Sequence, residues 1–144
     1  MYLIDANILI YAMSERDPHH EKAVAWFGAA LEGPGQTVGL PWPCLVACLR
    51  VATNPRLYPT PRAASDVLAV IEDWLDRPAA WIPGPGPRHI AHLERCLRES
   101  GASGNVVSDA HLAALATEHA LTVVTADRDF GRFESVKSLN PLAN

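Results

Sequence analysis

Four aspartates in this chain have the residue type and the positions that a divalent-cation site requires. They are Asp5, Asp109, Asp127 and Asp129. Carboxylates that share one site raise one another's pKa, and burial adds to that cost. A hard cation such as Mg²⁺ or Mn²⁺ removes the cost, because both ions prefer oxygen ligands. The chemistry that such a site supports is the hydrolysis of a phosphodiester bond by an activated water molecule.

Each aspartate taken alone also has a purely structural explanation. Asp5 has the residue type and position of a helix N-cap, and Asp109 lies early in a helical pattern, where a negative charge is favourable. Asp127 and Asp129 are common turn residues. The pattern leaves both explanations open, and only the joint placement of these residues favours a metal site.

The elements that must position these aspartates alternate between short apolar runs and helical patterns. This alternation predicts an α/β fold with a mostly parallel sheet and helices on both faces. The predicted strands cover residues 2–4, 37–40, 81–82, 121–125 and 136–139. The predicted helices cover residues 6–12, 17–31, 45–52, 61–75, 88–99 and 106–119, with Thr60 as the N-cap of the fourth and a loop at 101–104.

The predicted sheet brings the acidic residues to one edge. Asp5 directly follows the first strand, and Asp127 lies two residues beyond the strand at 121–125. Ligands of open parallel sheets bind outside the carboxyl ends of the strands. Asp109 precedes the apolar residues on the sheet-facing side of its helix. We therefore expect Asp5, Asp109 and Asp127 to converge on one cleft, with Asp129 nearby.

The composition is that of a folded, acidic domain. The chain has 144 residues, of which 49% are hydrophobic, and a formal net charge of −4. This charge argues against a surface that binds nucleic acid over its whole extent. Three cysteines without a CxxC pair argue against a disulfide framework and against zinc. The start of the chain lacks a secretory signal, and no apolar run is long enough to cross a bilayer, so a cytoplasmic protein is expected.

Several segments of the chain resemble the PIN-domain family and, within it, the VapC-type toxins of toxin–antitoxin pairs. These segments occur in the order of the family: LIDANILIYA, LRVATNPRLY, GNVVSDAHLAALATEHALTVVTADRDFGRF and SLNPL. The opening segment alone would be a weak signal. The long third segment, in which Asp109 is followed by Asp127 and Asp129, is specific.

The resemblance implies a single PIN domain over residues 1–144, folded as a three-layer α/β/α sandwich, with Mg²⁺-dependent endoribonuclease activity. It implies metal-binding and catalytic roles for Asp5, Asp109 and Asp127. It implies supporting roles for Asn7, which steadies the first aspartate, for the hydroxyl of Thr125 and for Asp129. Thr125 is equally well explained as an ordinary β-branched strand residue.

One position departs from the pattern of the family. Many PIN domains carry a glutamate in the helix after the second strand, where this chain has Ala47. The departure favours a single metal ion bound by Asp5, Asp109 and Asp127. It also leaves an alternative open, a catalytically weak PIN-fold module that only binds RNA. A phospho-acceptor domain is less favoured, because Asn7 stands where a second acid would be needed.

The partners are also implied by the resemblance. They are an RNA substrate, structured tRNA or rRNA, a VapB-type antitoxin and a second copy of the chain in a homodimer. The arginines that could contact phosphates are Arg50, Arg56 and Arg62 in the middle segment and Arg128 and Arg132 near the site. Of these, Arg50, Arg56 and Arg128 are the predicted contacts, since arginine supplies affinity without sequence information. For any single one of them, an ordinary solvated surface is the favoured explanation.

Overall fold

Five parallel strands form the centre of the fold. The computed structural model describes residues 1–101, 104 and 106–143. The strands are β1 (Tyr2–Ile4), β2 (Val38–Gly39), β3 (Ala80–Trp81), β4 (Thr122–Val124) and β5 (Ser138–Leu139). Their order across the sheet is β3-β2-β1-β4-β5, and every neighbouring pair is parallel. The predicted α/β class is confirmed.

Six α-helices lie between the strands in the described part of the chain. They are α1 (Ala6–Met13), α2 (His20–Leu31), α3 (Trp42–Ala52), α4 (Ala64–Leu75), α5 (His89–Ser100) and α6 (Val106–His119). A short 3-10 helix, Arg128–Arg132, follows β4. Each predicted helix is present within a few residues of its predicted bounds. The part of the predicted loop at Ala102 and Ser103 lies outside the described residues.

Two helices begin later than predicted, and α3 begins earlier than predicted, at Trp42. Helix α4 begins at Ala64, and Thr60 does not cap it. The reason is that the backbone N–H of Arg62 donates to the carbonyl of Ala52, which ties this segment to the end of α3. Helix α2 begins at His20, because the side chain of Asp17 accepts a hydrogen bond from the N–H of His19 and forms a turn there.

The core lies on β1 and β4, the strands at and beside the centre of the sheet. Leu3, Ile4, Val123 and Val124 are fully buried there. The middle of helix α6 is buried without interruption from Leu112 to Ala116, and the helix packs against α5. A helix that is apolar on nearly all sides belongs in the interior. Within the described residues, no helix has the length and the apolar character needed to cross a membrane.

A polar cluster joins the segment before α5 to α6. The N–H of Gly86 donates to Glu118 Oε1 at 2.7 Å, which lowers the pKa of Glu118. His89 Nε2 lies 3.0 Å from His111 Nδ1, and His89 Nδ1 lies 3.9 Å from Glu118 Oε1. Burial, and then the nearby His89, lower the pKa of His111. The cluster therefore fixes the start of α5 on α6.

Candidate active site

The register between β1 and β4 brings Asp5 and Thr125 together. Ile4 is paired with Val124, and the N–H of Asp5 donates to the carbonyl of Val124 at 3.0 Å. The hydroxyl of Thr125 then donates to Asp5 Oδ2 at 2.8 Å. Both side chains are buried, with exposed fractions of 8% for Asp5 and 2% for Thr125. A buried carboxylate requires such partners, because an unpaired buried charge is costly.

Asn7 connects the first helix to the end of β4. Its Nδ2 lies 3.3 Å from Asp5 Oδ2 and 3.1 Å from Thr125 Oγ1. Its Oδ1 accepts a hydrogen bond from the N–H of Ala126 at 3.1 Å. Asn7 therefore contacts the first aspartate where the resemblance implies, and it also holds the chain that leads to Asp127.

Asp5 is at once the N-cap of α1 and a member of the acidic group. Its Oδ1 accepts from the N–H of Ala6 at 2.7 Å, as an N-cap does. Burial raises the pKa of Asp5, the hydrogen bonds from Thr125 and Ala6 lower it, and the negative charge of Asp127 raises it. The net direction is upward. Asp5 is therefore both a helix N-cap and a member of the acidic group.

Asp109 lies in the first turns of α6, close to the other carboxylates. Its pKa is raised to about 6, first by burial and then by the charges of Asp5 and Asp127. The charge of Arg132 opposes this, while Asp129 adds to it. Three separate elements therefore contribute to one crowded negative cleft, as the strand ends predict.

Asp127 caps the 3-10 helix that follows β4. Its Oδ1 accepts from the N–H of Asp129 at 2.8 Å, and its own N–H donates to Thr125 Oγ1 at 3.0 Å. The predicted turn is therefore present. Among the described residues Asp127 Oδ2 receives no hydrogen bond, so this oxygen has room for a ligand.

The arginine that pairs with a carboxylate at this site is Arg132, one of the two candidate phosphate contacts near the site. Its Nη2 lies 3.3 Å from Asp129 Oδ2, and its Nε donates to the carbonyl of Asp129. Residues three apart lie on the same side of a 3-10 helix, which explains the pairing. Arg128 is exposed and has no acidic partner within 4.0 Å in the described part of the chain. The sequence signal for this ion pair is the three-residue spacing between Asp129 and Arg132 in the DRDFGR segment.

The other predicted phosphate contacts lie on α3 and in the loop after it. Arg50 and Arg56 are exposed, and neither is paired with an acid among residues 1–101, 104 and 106–143. Neither acts on the pKa of Asp5 or Asp109. Helix α3 carries no acidic residue, and Ala47 is half-buried within it. The thiol of Cys44 on this helix is buried beside Asp5 and Asp109, and its pKa is raised, which makes it a poor nucleophile.

The donor set suits an open Mg²⁺ site better than a closed one. Within the described residues, no group of three or more His, Cys, Asp or Glu side chains could hold a metal ion by itself. Mg²⁺ usually keeps several waters and binds one or two carboxylates together with substrate oxygens. Asp5, Asp109 and Asp127 come from three elements and lie close enough for the charges of Asp5 and Asp127 to raise the pKa of Asp109. Their oxygen atoms are of the type that a hydrated Mg²⁺ prefers, and Mg²⁺ binding by these residues stays a prediction.

A parallel sheet that collects carboxylates beyond β1 and β4 is the arrangement of the PIN domain. The chain matches that family over residues 2–136. It therefore belongs to the PIN domain family.

Relatives of known name agree with the resemblance to VapC proteins. Ribonuclease VapC37 of Mycobacterium tuberculosis is 41% identical and covers 99% of both chains. Ribonuclease VapC31 of the same species is 37% identical and covers 98% of this chain and 99% of the relative. The VapBC2 structure from Rickettsia felis, bound to a promoter DNA fragment, has a TM-score of 0.68 at 16% identity, with 96% and 97% coverage. This structural likeness concerns the fold.

Proposed function

We propose that this protein is the toxin of a toxin–antitoxin pair and hydrolyses RNA phosphodiester bonds with Mg²⁺. The convergence of Asp5, Asp109 and Asp127 carries the proposal, because the charge of Asp127 raises the pKa of Asp5 and the charges of Asp5 and Asp127 raise the pKa of Asp109. Full-length relatives named as ribonucleases support the choice of RNA as substrate. Mn²⁺ would serve the same oxygen ligands.

Asp5, Asp109 and Asp127 would hold the ion. The bound ion supplies activation of water and stabilisation of charge on the phosphate. Thr125 and Asn7 orient Asp5 by hydrogen bonds to its Oδ2, so that Oδ2 is held in one direction. Thr125 also accepts from the N–H of Asp127, so a single hydroxyl couples the positions of two of the three carboxylates.

One ion is proposed and not two. Helix α3 offers no carboxylate, since Ala47 occupies the position where the family commonly has glutamate. Asp129 is the remaining acid, and it is exposed and paired with Arg132. A carboxylate already paired with arginine is a weaker metal ligand, so Asp129 is assigned a role in shaping the cleft.

The proposed partner is a VapB-type antitoxin that covers the cleft. A solved structure with the same fold is a VapBC assembly, which supports this choice. A homodimer of the toxin is proposed because the resemblance to the VapC-type toxins implies one. We expect tRNA or rRNA as the substrate, cut in the cytoplasm, with Arg50, Arg56 and Arg128 at the phosphates because all three are exposed and without an acidic partner in the described chain.

The alternative is a PIN-fold module that binds RNA and cleaves it weakly. Two observations favour it: α3 lacks an acid, and the described carboxylates do not enclose an ion by themselves. Under this alternative, an Asp→Asn substitution would leave growth arrest intact, because the charge needed for the metal would not be needed for binding.

The deciding experiment is sequencing of RNA 5′ ends after expression of the wild type, Asp5→Asn and Asp66→Asn. Asp66 is an exposed aspartate on α4 and serves as the matched control. We expect new 5′ ends at a few sites with the wild type and Asp66→Asn, and none with Asp5→Asn. Purified wild type should lose the same cuts in EDTA and regain them with Mg²⁺. Cleavage that persists in Asp5→Asn would refute the proposed site.

A further inference from the structure

Helix α3 presents an exposed strip of side chains, defined here as Trp42, Val46 and Arg50. Trp42 is 49% exposed and Val46 is 55% exposed, and Arg50 is exposed as well. At about 100° of rotation and about 1.5 Å of rise per residue, the three lie on one side of the helix over about 12 Å. An apolar end and a cationic end thus share one face.

The apolar end of this strip begins two residues after Leu40, beyond the end of β2, the strand beside the one that Asp5 follows. In the parallel pair of β1 and β2, Leu3 is opposite Gly39. Asp5 lies two residues after Leu3, and Pro41 lies two residues after Gly39. Adjacent strands are about 4.8 Å apart. Trp42 follows Pro41 directly and opens α3. Cys44 lies in the same first turn of α3, and the charges of Asp5 and Asp109 raise the pKa of its thiol.

Trp42 differs from the other three tryptophans of the chain. Trp26 packs edge-on against Tyr2, Trp74 against Phe27 and Trp81 against His119, with ring centroids 5.1 to 5.4 Å apart. Trp42 makes no ring contact with any described residue. An indole half open to solvent has a free aromatic face, and that face contributes nothing to the core.

We propose that the indole of Trp42 stacks on an unpaired base of the RNA substrate, with Arg50 contacting a phosphate further along the strand. This inference rests on the proposed function. Stacking suits this protein because its acidic cleft repels phosphate, while every base has an apolar face. Sequence-specific RNA binding commonly uses unstacked bases on aromatic side chains. Trp42 therefore positions the strand so that a phosphodiester lies over Asp5 and Asp109.

The test measures binding of two short probes, an adenylate oligoribonucleotide and an abasic ribose-phosphate of equal length. The parent carries Asp109→Asn so that the probe is not cut, and Trp42→Ala, Trp42→Phe and Leu68→Ala are added to it. Leu68 is 48% exposed and lies on α4, which packs on edge strand β3. We expect Trp42→Ala to weaken adenylate binding about tenfold, with the abasic probe unaffected and Trp42→Phe close to the parent.

A second readout uses cleavage of total bacterial RNA by chains that retain Asp109. Trp42→Ala should raise KM with kcat unchanged, as expected for the loss of uniform binding. The inference would be overturned if Trp42→Ala lost affinity equally for both probes, or if its adenylate binding were unchanged. The second outcome includes the case in which that variant loses affinity only for the antitoxin. If wild type neither binds nor cuts RNA, the proposed function fails, and this inference with it. An active wild type with an unaffected Trp42→Ala refutes the stacking alone.

Discussion

Replacing Asp109 with asparagine should stabilise the metal-free protein while it abolishes cleavage. The folded protein raises the pKa of this carboxyl to about 6 from 3.8, first by burial and then by the charges of Asp5 and Asp127. At neutral pH the folded chain therefore carries a negative charge that its surroundings disfavour. Asparagine keeps the shape of the side chain and removes that charge.

The size of this effect follows from the two pKa values. A pKa near 6 in the folded chain against 3.8 in the unfolded chain corresponds to about 3 kcal/mol of lost stability at neutral pH for a fully buried group. Asp109 is only partly buried, and solvent screens the charge, so about 1 kcal/mol is expected. For a chain of this size that is about 3 °C in Tm.

The assay is thermal unfolding of wild type and Asp109→Asn in EDTA, across a range of pH. Because the folded-state pKa is raised, Asp109 costs the wild type no stability below about pH 4, and this cost develops as the pH rises through about 6. The gain in Asp109→Asn should therefore be present at neutral pH and vanish in acid. Mg²⁺ should raise the Tm of wild type and not that of the variant.

Two results would refute this reasoning. Melting of Asp109→Asn below wild type in EDTA at neutral pH would mean that the carboxylate stabilises the fold, for example through the N-terminal end of α6. A gain that is the same at every pH would also count against it, since the effect would then not arise from the charge. Asp66→Asn, on the exposed face of α4, should change the Tm little and serves as the control.

Three further predictions concern hydrogen bonds and titrating groups. Thr125→Val should lower the free energy of unfolding in urea by about 2 kcal/mol, because the hydroxyl that bonds Asp5 and Asp127 is lost. Thr125→Ser should keep both stability and cleavage, and equal unfolding free energies for the two variants would contradict this. Gly86→Ala should have a lower Tm than Gly84→Ala. A Cβ at Gly86 would lie 2.7 Å from a Glu118 oxygen, while a Cβ at Gly84 would meet open space. Identical melting curves for the two variants would count against this prediction. His111 should lower stability as the pH falls through about 6.5, because the folded chain lowers the pKa of His111 and the unfolded chain binds the proton first. His111→Gln should remove this part of the pH dependence in urea titrations, and an unchanged pH dependence would assign it to other groups.

The strands and most helices could be predicted because their signals are local. Short apolar runs that end on polar residues predicted β1 and β4, and the helical pattern over 106–119 matches α6 residue for residue. The start of α4 could not be predicted from Thr60 and Pro61. A hydrogen bond between Arg62 and Ala52 holds that segment to α3 instead, and such a contact across a loop leaves no periodic pattern.

The convergence of the acidic residues was also predictable, since parallel strands place their carboxyl ends at one edge. The sequence alone determined that Asp5 and Asp127 each follow an apolar run and that the third helical segment lacks an acid. Only the tertiary structure decided that Thr125 bonds Asp5, that Arg132 and not Arg128 pairs with Asp129, and that Trp42 remains exposed. The physical reason is that side-chain direction depends on register and packing between distant elements, which residue type and spacing do not specify.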